Sequence, residues 1–317
     1  MRIVFLDRAT FSPEVTFDSA PLDVSEWREY PVTSPKEVVE RAQHATVLIV
    51  NKVRLSRDVL SALPNLRMIA ISATGVDNVD LAAARDANIA VANVRGYATH
   101  AVPEYVFTML LALRRNLISY HDAVQAGEWA QSPVYCLHGR PIVDVAGSTL
   151  GIIGRGSLGR SVEAMASTFG MSVLIAERKG SSKIRAGRTA FEDVLKVSDA
   201  ITLHVPLTDD THKLISADEL SLMKPTAILI NASRGSVVDE KALLAALKDG
   251  RLAGAALDVL GTEPPAANHP LVKANLPNLI VTPHVAWASL QAQQRLADEV
   301  ILNIAAFQRG EPRNRVD

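Results

Sequence analysis

The chain has 317 residues, of which 48% are hydrophobic and 21% charged, the balance of a globular protein long enough for two domains. A net charge of −1 gives no electrostatic signature of binding to nucleic acid or anionic membranes, so neither partner is expected. The single cysteine, Cys136, excludes an intrachain disulfide and fits a reducing compartment, so we expect a cytoplasmic protein. The apolar run before Asp7 is too short for a signal peptide, and no run has the length of a membrane span.

The N-terminal third of the chain alternates strand-like and helix-like segments. Short apolar, β-branched runs occur at IVFL, TVLIV, MIAIS and IAVANV. The helix-like stretches SPKEVVERAQ, SRDVLSALP and NVDLAAARDAN lie between them. Apolar runs without polar alternation are typical of strands buried on both faces, and helical connections between them indicate a parallel sheet.

The alternation pauses in the middle of the chain and then resumes. AVPEYVFTMLLALRRNLISYHDAVQAGEW predicts one long apolar helix, and the loop QSPVYCLHGRPIVDVAG follows it. Strand-like runs return at TLGIIG, VLIAE, AITLHV, AILINA, AGAALDV and LIVTPH, and a last helix ends near Gly310 and Pro312. The predicted fold class is therefore α/β, with two doubly wound parallel sheets whose ligands lie at the carboxyl ends of the strands.

The stretch LGIIGRGSLGR has the spacing of a dinucleotide-binding turn. Gly154, Gly156 and Gly159 form G-x-G-x-x-G between a predicted strand and an amphipathic helix. The first glycine permits a tight turn, the second lets a pyrophosphate approach, and the third lets the helix pack on the strand. The helix begins at Ser157 and Leu158, whose N–H groups face the phosphates.

The end of the next predicted strand bears on the choice of dinucleotide. Glu177 lies about twenty residues beyond the turn, where a carboxylate binds the ribose hydroxyls and repels a 2′-phosphate. Arg178 and Lys179 follow directly and are able to pair with such a phosphate. NAD is the expected cofactor, and NADP stays open as the alternative.

Three later strand-end loops carry candidate catalytic residues. Arg234 lies in NASRGSVVD, Glu263 in LDVLGTEPP and His284 in VTPHVAW. Each is an ordinary surface or buried residue if taken alone, but together they fit hydride transfer to and from a 2-hydroxy acid. A histidine exchanges a proton near neutral pH, a carboxylate orients and stabilises the imidazolium, and a guanidinium forks a planar carboxylate.

The sequence resembles the D-isomer-specific 2-hydroxyacid dehydrogenase family over nearly its whole length. The resemblance rests on the following segments in this order: ATGVDNVDL, NVRGYATHAVPEYVFTMLLAL, GSTLGIIGRGSLGR, HVPLTDDTHKLI, ILINASRGSVVDEKALLAAL, GAALDVLGTEPP and NLIVTPHVAWAS. It implies a catalytic set of Arg234, Glu263 and His284. It also implies that Arg234 and the N–H groups of Gly75 and Val76 bind the substrate carboxylate.

The resemblance further implies a cofactor site and a domain plan. The resemblance implies that the cofactor contacts Val205, Pro206, Ala232, Asp258 and His284, in addition to the glycine turn, Glu177 and Arg178. Asp258 would hold the nicotinamide carboxamide. A Rossmann NAD-binding domain, residues 99–287, would be inserted into a flavodoxin-like substrate domain formed by residues 1–98 and 288–317. The resemblance implies a homodimer, and no metal site is expected.

Two features resemble the glycerate dehydrogenase and hydroxypyruvate reductase branch of the family. Lys52 lies after TVLIV, and Trp287 lies three residues after His284. Lys52 could equally be a solvated loop charge, and Trp287 could equally be an aromatic residue that packs between domains. The expected reaction is reduction of hydroxypyruvate or glyoxylate to D-glycerate or glycolate. Two alternatives stay open: a phosphoglycerate dehydrogenase-like enzyme, with Lys52 and Arg54 as extra cations, and a dinucleotide-sensing interaction protein.

Overall fold

A computed structural model describes all residues, 1–317, and divides them into two units. The discontinuous domain comprises Met1–Ala98 and Ala288–Asp317, and the inserted domain comprises Thr99–Trp287. Each is built around one parallel sheet with its own buried apolar cluster. No helix combines the length and the apolar character needed to cross a membrane.

The discontinuous domain has five parallel strands. They are β1 (Arg2–Phe5), β2 (Glu26–Glu29), β3 (Val47–Val50), β4 (Met68–Ile71) and β5 (Ala90–Ala92). Their order in the sheet is β2-β1-β3-β4-β5, the flavodoxin-like arrangement, so the chain reverses direction across the sheet between β1 and β3. The helices of this domain are α1 (Val38–Ala42), α2 (Arg57–Ser61), α3 (Leu81–Asp86) and α11 (Leu290–Gln308).

The inserted domain has six parallel strands. They are β6 (Thr149–Ile153), β7 (Ser172–Ile175), β8 (Ala200–Leu203), β9 (Ile228–Asn231), β10 (Gly254–Leu257) and β11 (Leu279–Val281). Their order is β7-β6-β8-β9-β10-β11, so the switch point of this sheet lies between β6 and β8. Its helices are α4 (Ala101–Arg114), α5 (Leu117–Gln125), α6 (Ser157–Thr168), α7 (Phe191–Val197), α8 (Ala217–Leu222), α9 (Glu240–Lys248) and α10 (Pro270–Lys273).

The predicted fold class, α/β with two doubly wound parallel sheets, is confirmed. The apolar runs chosen as strands form the buried strands, and β3, β4, β8 and β9 are buried at every position. The edge strand β2 was missed because its sequence, EWRE, is half exposed and contains no apolar run.

The prediction of one long helix after residue 100 was wrong. The structure has two helices, α4 and α5, separated at Asn116, whose φ of +49° is left-handed. Asparagine adopts this conformation more readily than most residues, and the Asn116 side-chain amide also donates to the Pro141 carbonyl. The apolar spacing continues across the break, so periodicity does not reveal it. α5 buries only Ala123 and leaves its large apolar residues exposed.

Candidate functional site

The glycine turn after β6 is shaped by close backbone approaches. Gly154 has a φ of +99°, and an added Cβ there would overlap the His204 carbonyl oxygen at the end of β8. At Gly159 an added Cβ would overlap the Gly154 carbonyl oxygen, whereas no atom lies within 4 Å of one at Gly156. Two glycines therefore permit the packing and the third keeps open the space in front of α6, which fits a pyrophosphate cradle.

The end of β8 lies beside this turn at the switch point. An added Cβ at Gly154 would lie 2.9 Å from Val205 Cγ1, and Pro206 is the next residue along the chain. The His204 ring contacts Thr202 Oγ1 at 2.9 Å, and burial lowers the pKa of His204 to about 4. Its imidazole is therefore neutral at neutral pH. On the next strand of the sheet, Ala232 directly follows the end of β9.

Glu177, just after β7, is buried, and both of its carboxylate oxygens accept hydrogen bonds. Its carboxylate accepts hydrogen bonds from Arg185 Nε at 2.8 Å and from Arg185 Nη2. It also accepts from the backbone N–H groups of Arg178 at 2.9 Å and Arg185 at 3.1 Å. The Arg185 guanidinium, through these hydrogen bonds, holds the pKa of Glu177 well below its usual range. The ribose contact expected of Glu177 stays a prediction.

The structure brings His284 and Glu263 into direct contact. His284 Nδ1 lies 2.6 Å from Glu263 Oε2, and the Leu260 N–H donates to Glu263 Oε1 at 2.9 Å. The carboxylate is thus fixed on one side by its own loop and fixes the imidazole on the other. With Nδ1 engaged, Nε2 is the ring atom left to exchange a proton with a ligand.

Asp258 holds the loop that carries His284. Its Oδ1 accepts from the Val285 N–H and its Oδ2 from the Ala286 N–H, both at 2.8 Å. The His284 N–H donates to the Asp258 carbonyl at 2.8 Å, and Trp287 Nε1 donates back to the His284 carbonyl at 3.0 Å. These bonds support the left-handed backbone of His284, whose φ is +56°.

A second set of hydrogen bonds reaches Asp258 from α4. Thr282 Oγ1 donates to Asp258 Oδ1 at 2.6 Å, so its remaining contact, with Tyr105 Oη at 2.7 Å, must have the tyrosine as donor. Burial raises the pKa of Tyr105, which keeps this hydroxyl protonated and able to donate. The chain Tyr105–Thr282–Asp258 therefore has one fixed direction and ends at the loop that carries His284.

Arg234 lies on a loop that is fixed by its own backbone. Asn231 Oδ1 accepts from the Ser233 N–H at 3.0 Å, and Asn231 Nδ2 donates to the Arg234 carbonyl at 2.9 Å. An added Cβ at Gly235 would overlap the Leu260 carbonyl, so glycine lets this loop lie against the one that carries Glu263. The three predicted catalytic residues thus lie on loops at one edge of one sheet.

In the discontinuous domain, the loops after β1 and β3 meet at Asp7. Its buried carboxylate accepts from three successive N–H groups, those of Asn51 at 2.9 Å, Lys52 at 2.6 Å and Val53 at 3.1 Å. Burial raises the pKa of Asp7, and these hydrogen bonds oppose that rise. Asp7 therefore fixes the backbone on which the exposed Lys52 is carried.

The loop after β4 is held against the same place. Asn78 Nδ2 donates to the Val53 carbonyl at 2.9 Å, and the Leu55 N–H donates to the Asn78 carbonyl at 2.7 Å. The N–H groups of Gly75 and Val76 on this loop donate to no acceptor in the protein. Unengaged neighbouring N–H groups fit the anion cradle expected of these two residues.

Sequence reasoning missed four residues with a part in these arrangements: Asp7, Tyr105, Arg185 and Thr282. Asp7 had a signal, since a charged residue directly follows an apolar strand-like run. The contacts of the other three depend on how loops fold or on elements far apart in the chain, and no local spacing reveals them.

Comparison with known proteins bears on the whole chain. Residues 107–286 match the family model described as "D-isomer specific 2-hydroxyacid dehydrogenase, NAD binding domain". Glycerate dehydrogenase of Methylorubrum extorquens is 48% identical over 317 residues, covering 100% of this chain and 99% of that protein. Glyoxylate reductase of Korarchaeum cryptofilum is 38% identical over 299 residues, covering 92% and 88%. An acyclic imino acid reductase solved in complex with NADPH and D-Arg has a TM-score of 0.86 and 28% identity, covering 100% of both chains.

Proposed function

Because the chain belongs to the D-isomer specific 2-hydroxyacid dehydrogenase family of NAD-binding oxidoreductases, we propose that it reduces hydroxypyruvate and glyoxylate to D-glycerate and glycolate. Support for these substrates comes from the relatives named glycerate dehydrogenase and glyoxylate reductase. Oxidation of glycerate at C2 gives hydroxypyruvate, so the first name and the proposed reduction describe one reaction in its two directions.

The observation that carries the proposal is the contact between His284 and Glu263 at 2.6 Å. A reduced nicotinamide, when bound, would supply a hydride for the substrate carbonyl carbon. His284 donates the proton from Nε2 to the carbonyl oxygen, which becomes the hydroxyl group. Glu263 holds the ring through Nδ1 and balances the positive charge before the proton is given up. In the oxidative direction His284 accepts the hydroxyl proton.

Arg234 is proposed to bind the substrate carboxylate with its guanidinium, whose paired N–H groups match the two oxygens. The N–H groups of Gly75 and Val76 are proposed as the second anion-binding element, with Lys52 and Trp287 as contacts that select the substrate. We assign the discontinuous domain as the substrate domain on this basis.

The dinucleotide is proposed to bind across the carboxyl edge of the inserted domain's sheet. The pyrophosphate would lie on the glycine turn (Gly154, Gly156, Ser157, Leu158 and Gly159), and the adenosine ribose would lie beside Glu177 and Arg178. The remaining contacts would come from Val205, Pro206, Ala232, Asp258 and His284. The Asp258 carboxylate has about four lone-pair positions, and three of them accept hydrogen bonds from the protein. One position remains to accept a hydrogen bond from the nicotinamide amide.

We propose a cytoplasmic homodimer as the working form. The unpaired Cys136 fits a reducing compartment. Support for a second copy comes from α5 and the loop after it, where Leu117, Ile118, Trp129 and Tyr135 are exposed.

A substrate panel tests the function. Hydroxypyruvate, glyoxylate, pyruvate and phosphohydroxypyruvate are each offered with NADH and with NADPH, and loss of the reduced-nicotinamide absorbance is followed. We expect the highest kcat/KM with hydroxypyruvate and a lower one with glyoxylate. A preference for phosphohydroxypyruvate would assign the enzyme to phosphoglycerate instead, and no turnover with any acid would contradict an enzymatic role.

A further inference from the structure

The loop that joins β7 to α7 is strongly basic. Five of the eleven residues 178–188 are Arg or Lys, in a chain whose net charge is −1. The loop begins directly after Glu177, at the carboxyl end of the strand that neighbours β6 and its glycine turn. In a dinucleotide fold, the 2′ position of the adenosine ribose lies at this point.

The carboxylate of Glu177 has no capacity left for a ribose. Oε1 accepts from Arg185 Nη2 and the Arg178 N–H, and Oε2 accepts from Arg185 Nε and the Arg185 N–H. These four bonds fill the roughly four lone-pair positions of a carboxylate. The Glu177 side chain is also only 2% exposed. A 2′-hydroxyl therefore gains no bond from Glu177 unless an ion pair with Arg185 breaks.

The same ion pair removes the charge that would repel a phosphate. Arg185 neutralises Glu177, and Lys179 is paired with Glu219 at 2.7 Å. The Arg178 guanidinium is exposed and makes no hydrogen bond or ion pair in the protein. It is therefore a cation without a counter-ion, directly after the ribose-binding position.

Arg188 is a further cation of this loop. Arg188 donates to the Ala176 carbonyl at 2.9 Å, and its pKa is lowered first by burial and then by the nearby charge of Arg185. An anion bound at this loop would be attracted by the positive charges of Arg178 and Arg188. The fold of this loop thus favours a bound anion.

We propose that this loop binds the 2′-phosphate of NADPH, with Arg178 as the principal ligand and the Arg185–Glu177 pair suppressing recognition of the ribose diol, so that the enzyme prefers NADPH to NADH. A phosphate monoester carries a charge of about −1.5 to −2 at neutral pH and three acceptor oxygens. The proposal rests on the proposed function only in that a nicotinamide dinucleotide lies on the glycine turn.

Calorimetric titration of the full-length protein with NADPH and NADH, and with the fragments 2′,5′-ADP and 5′-AMP, measures the preference without turnover. We expect NADPH to bind about 10-fold to 100-fold more tightly than NADH, the effect of one or two hydrogen bonds to a charged group. 2′,5′-ADP should exceed 5′-AMP by a similar factor. Equal binding within each pair would overturn the proposal.

Two variants and a control assign the effect to residues. Arg178→Ala should remove most of the NADPH preference and leave the Kd for NADH within about two-fold, because it removes only the phosphate ligand. Arg185→Ala should release the Glu177 carboxylate, weaken NADPH and tighten NADH. Lys248→Ala, which removes one exposed charge from the end of α9, should change neither. If Arg178→Ala weakened both dinucleotides equally, the loop would have no role in the choice.

Salt dependence gives a second readout on the same samples. The affinity for NADPH should fall more steeply with ionic strength than that for NADH, and Arg178→Ala should remove the difference. Equal salt dependence in the unmodified protein would contradict a charged phosphate contact. The two proposals fail on different results. An enzyme that turns over with NADH and binds NADPH no more tightly than NADH overturns only the proposed phosphate site. A protein that binds 2′,5′-ADP but reduces no acid overturns only the function.

Discussion

His284 is held in a backbone conformation that few non-glycine residues adopt. A left-handed residue of this kind costs about 1–2 kcal/mol, and the hydrogen bonds that the Asp258 carboxylate accepts from Val285 and Ala286 offset that cost. The result is a ring whose Nδ1 contacts Glu263 and whose Nε2 points away from that contact. Strain at this position fits a residue placed for chemistry rather than for stability.

The carboxylate-binding role of Arg234 is testable by a change that keeps its charge. Arg234→Lys should raise KM and lower kcat, with kcat/KM falling by about ten-fold or more, because an ammonium group cannot pair with both carboxylate oxygens. Asn231 and Gly235 fix the backbone of this loop, so the variant should fold. Steady-state kinetics on 2-oxo acids make the measurement, and unchanged constants would remove Arg234 from substrate binding.

His204 makes a separate prediction about stability and pH. Its pKa is about 4 in the folded protein against 6.5 for a free histidine, so between these values the unfolded chain binds a proton that the folded one does not. The free energy of unfolding should therefore fall as the pH falls from 6.5 towards 4, by up to about 1.4 kcal/mol per pH unit from this residue. Urea denaturation of the protein and of His204→Gln isolates the effect, since only the first should show this contribution. Parallel pH curves would contradict it.

The loops after β9 and β11 are held in place by contacts with neighbouring strands, loops and a helix, and not only by contacts within each loop. The loop after β11 depends on Asp258 at the end of β10, and through Thr282 on Tyr105 in α4. The loop after β9 depends on the absence of a side chain at Gly235. The loops that carry the proposed catalytic residues thus owe their geometry to packed strands and one helix.

This dependence predicts the behaviour of a double-mutant cycle. Thr282→Val keeps the shape of the side chain but leaves Asp258 without one donor and Tyr105 without an acceptor, which should cost about 1–3 kcal/mol of stability and lower kcat more than it changes KM. Tyr105→Phe should have a smaller effect of the same kind. The two changes should be non-additive, because the tyrosine acts only through Thr282. Additive losses in kcat and unfolding free energy would show that the contacts are independent.

The sequence predicts elements well where burial alone decides them. β3 and β4 are uninterrupted apolar runs, whereas β2 at the sheet edge has no such pattern and was missed. The G-x-G-x-x-G turn is readable because three glycines meet local steric demands. The break at Asn116 is hidden because both helices continue the apolar spacing.

The candidate site likewise has features that the sequence predicts and features that it does not. The residues predicted as catalytic are found on neighbouring loops because carboxyl ends of parallel strands share an edge. The pairing of Glu177 with Arg185 depends on the fold of a loop, and Tyr105 meets Thr282 across 177 positions of sequence. No spacing rule reaches contacts of either kind.

For the whole molecule, the exposed face of α5 bears on the proposed dimer. Ile118 is 47% exposed and lies with the exposed Leu117 and Val124 on a helix that buries only Ala123, and an apolar patch of this kind is typical of an interface. Ile118→Asp should shift the mass in sedimentation equilibrium from dimer to monomer. Val272→Asp is a matched control on α10, since Val272 is 46% exposed and should leave the mass unchanged. A monomeric unmodified protein would contradict the proposal.

The proposed mechanism requires that His284 supply the proton as hydride reaches the substrate carbonyl. Single-turnover oxidation of bound reduced dinucleotide by hydroxypyruvate, compared between the unmodified protein and His284→Ala, tests it most directly. The variant should still bind the dinucleotide, with a Kd raised by no more than about ten-fold for the loss of one contact. It should transfer hydride about 10²-fold to 10⁴-fold more slowly, the contribution of a positioned general acid. A variant that binds the dinucleotide and transfers hydride at the unmodified rate would exclude His284 as the proton donor.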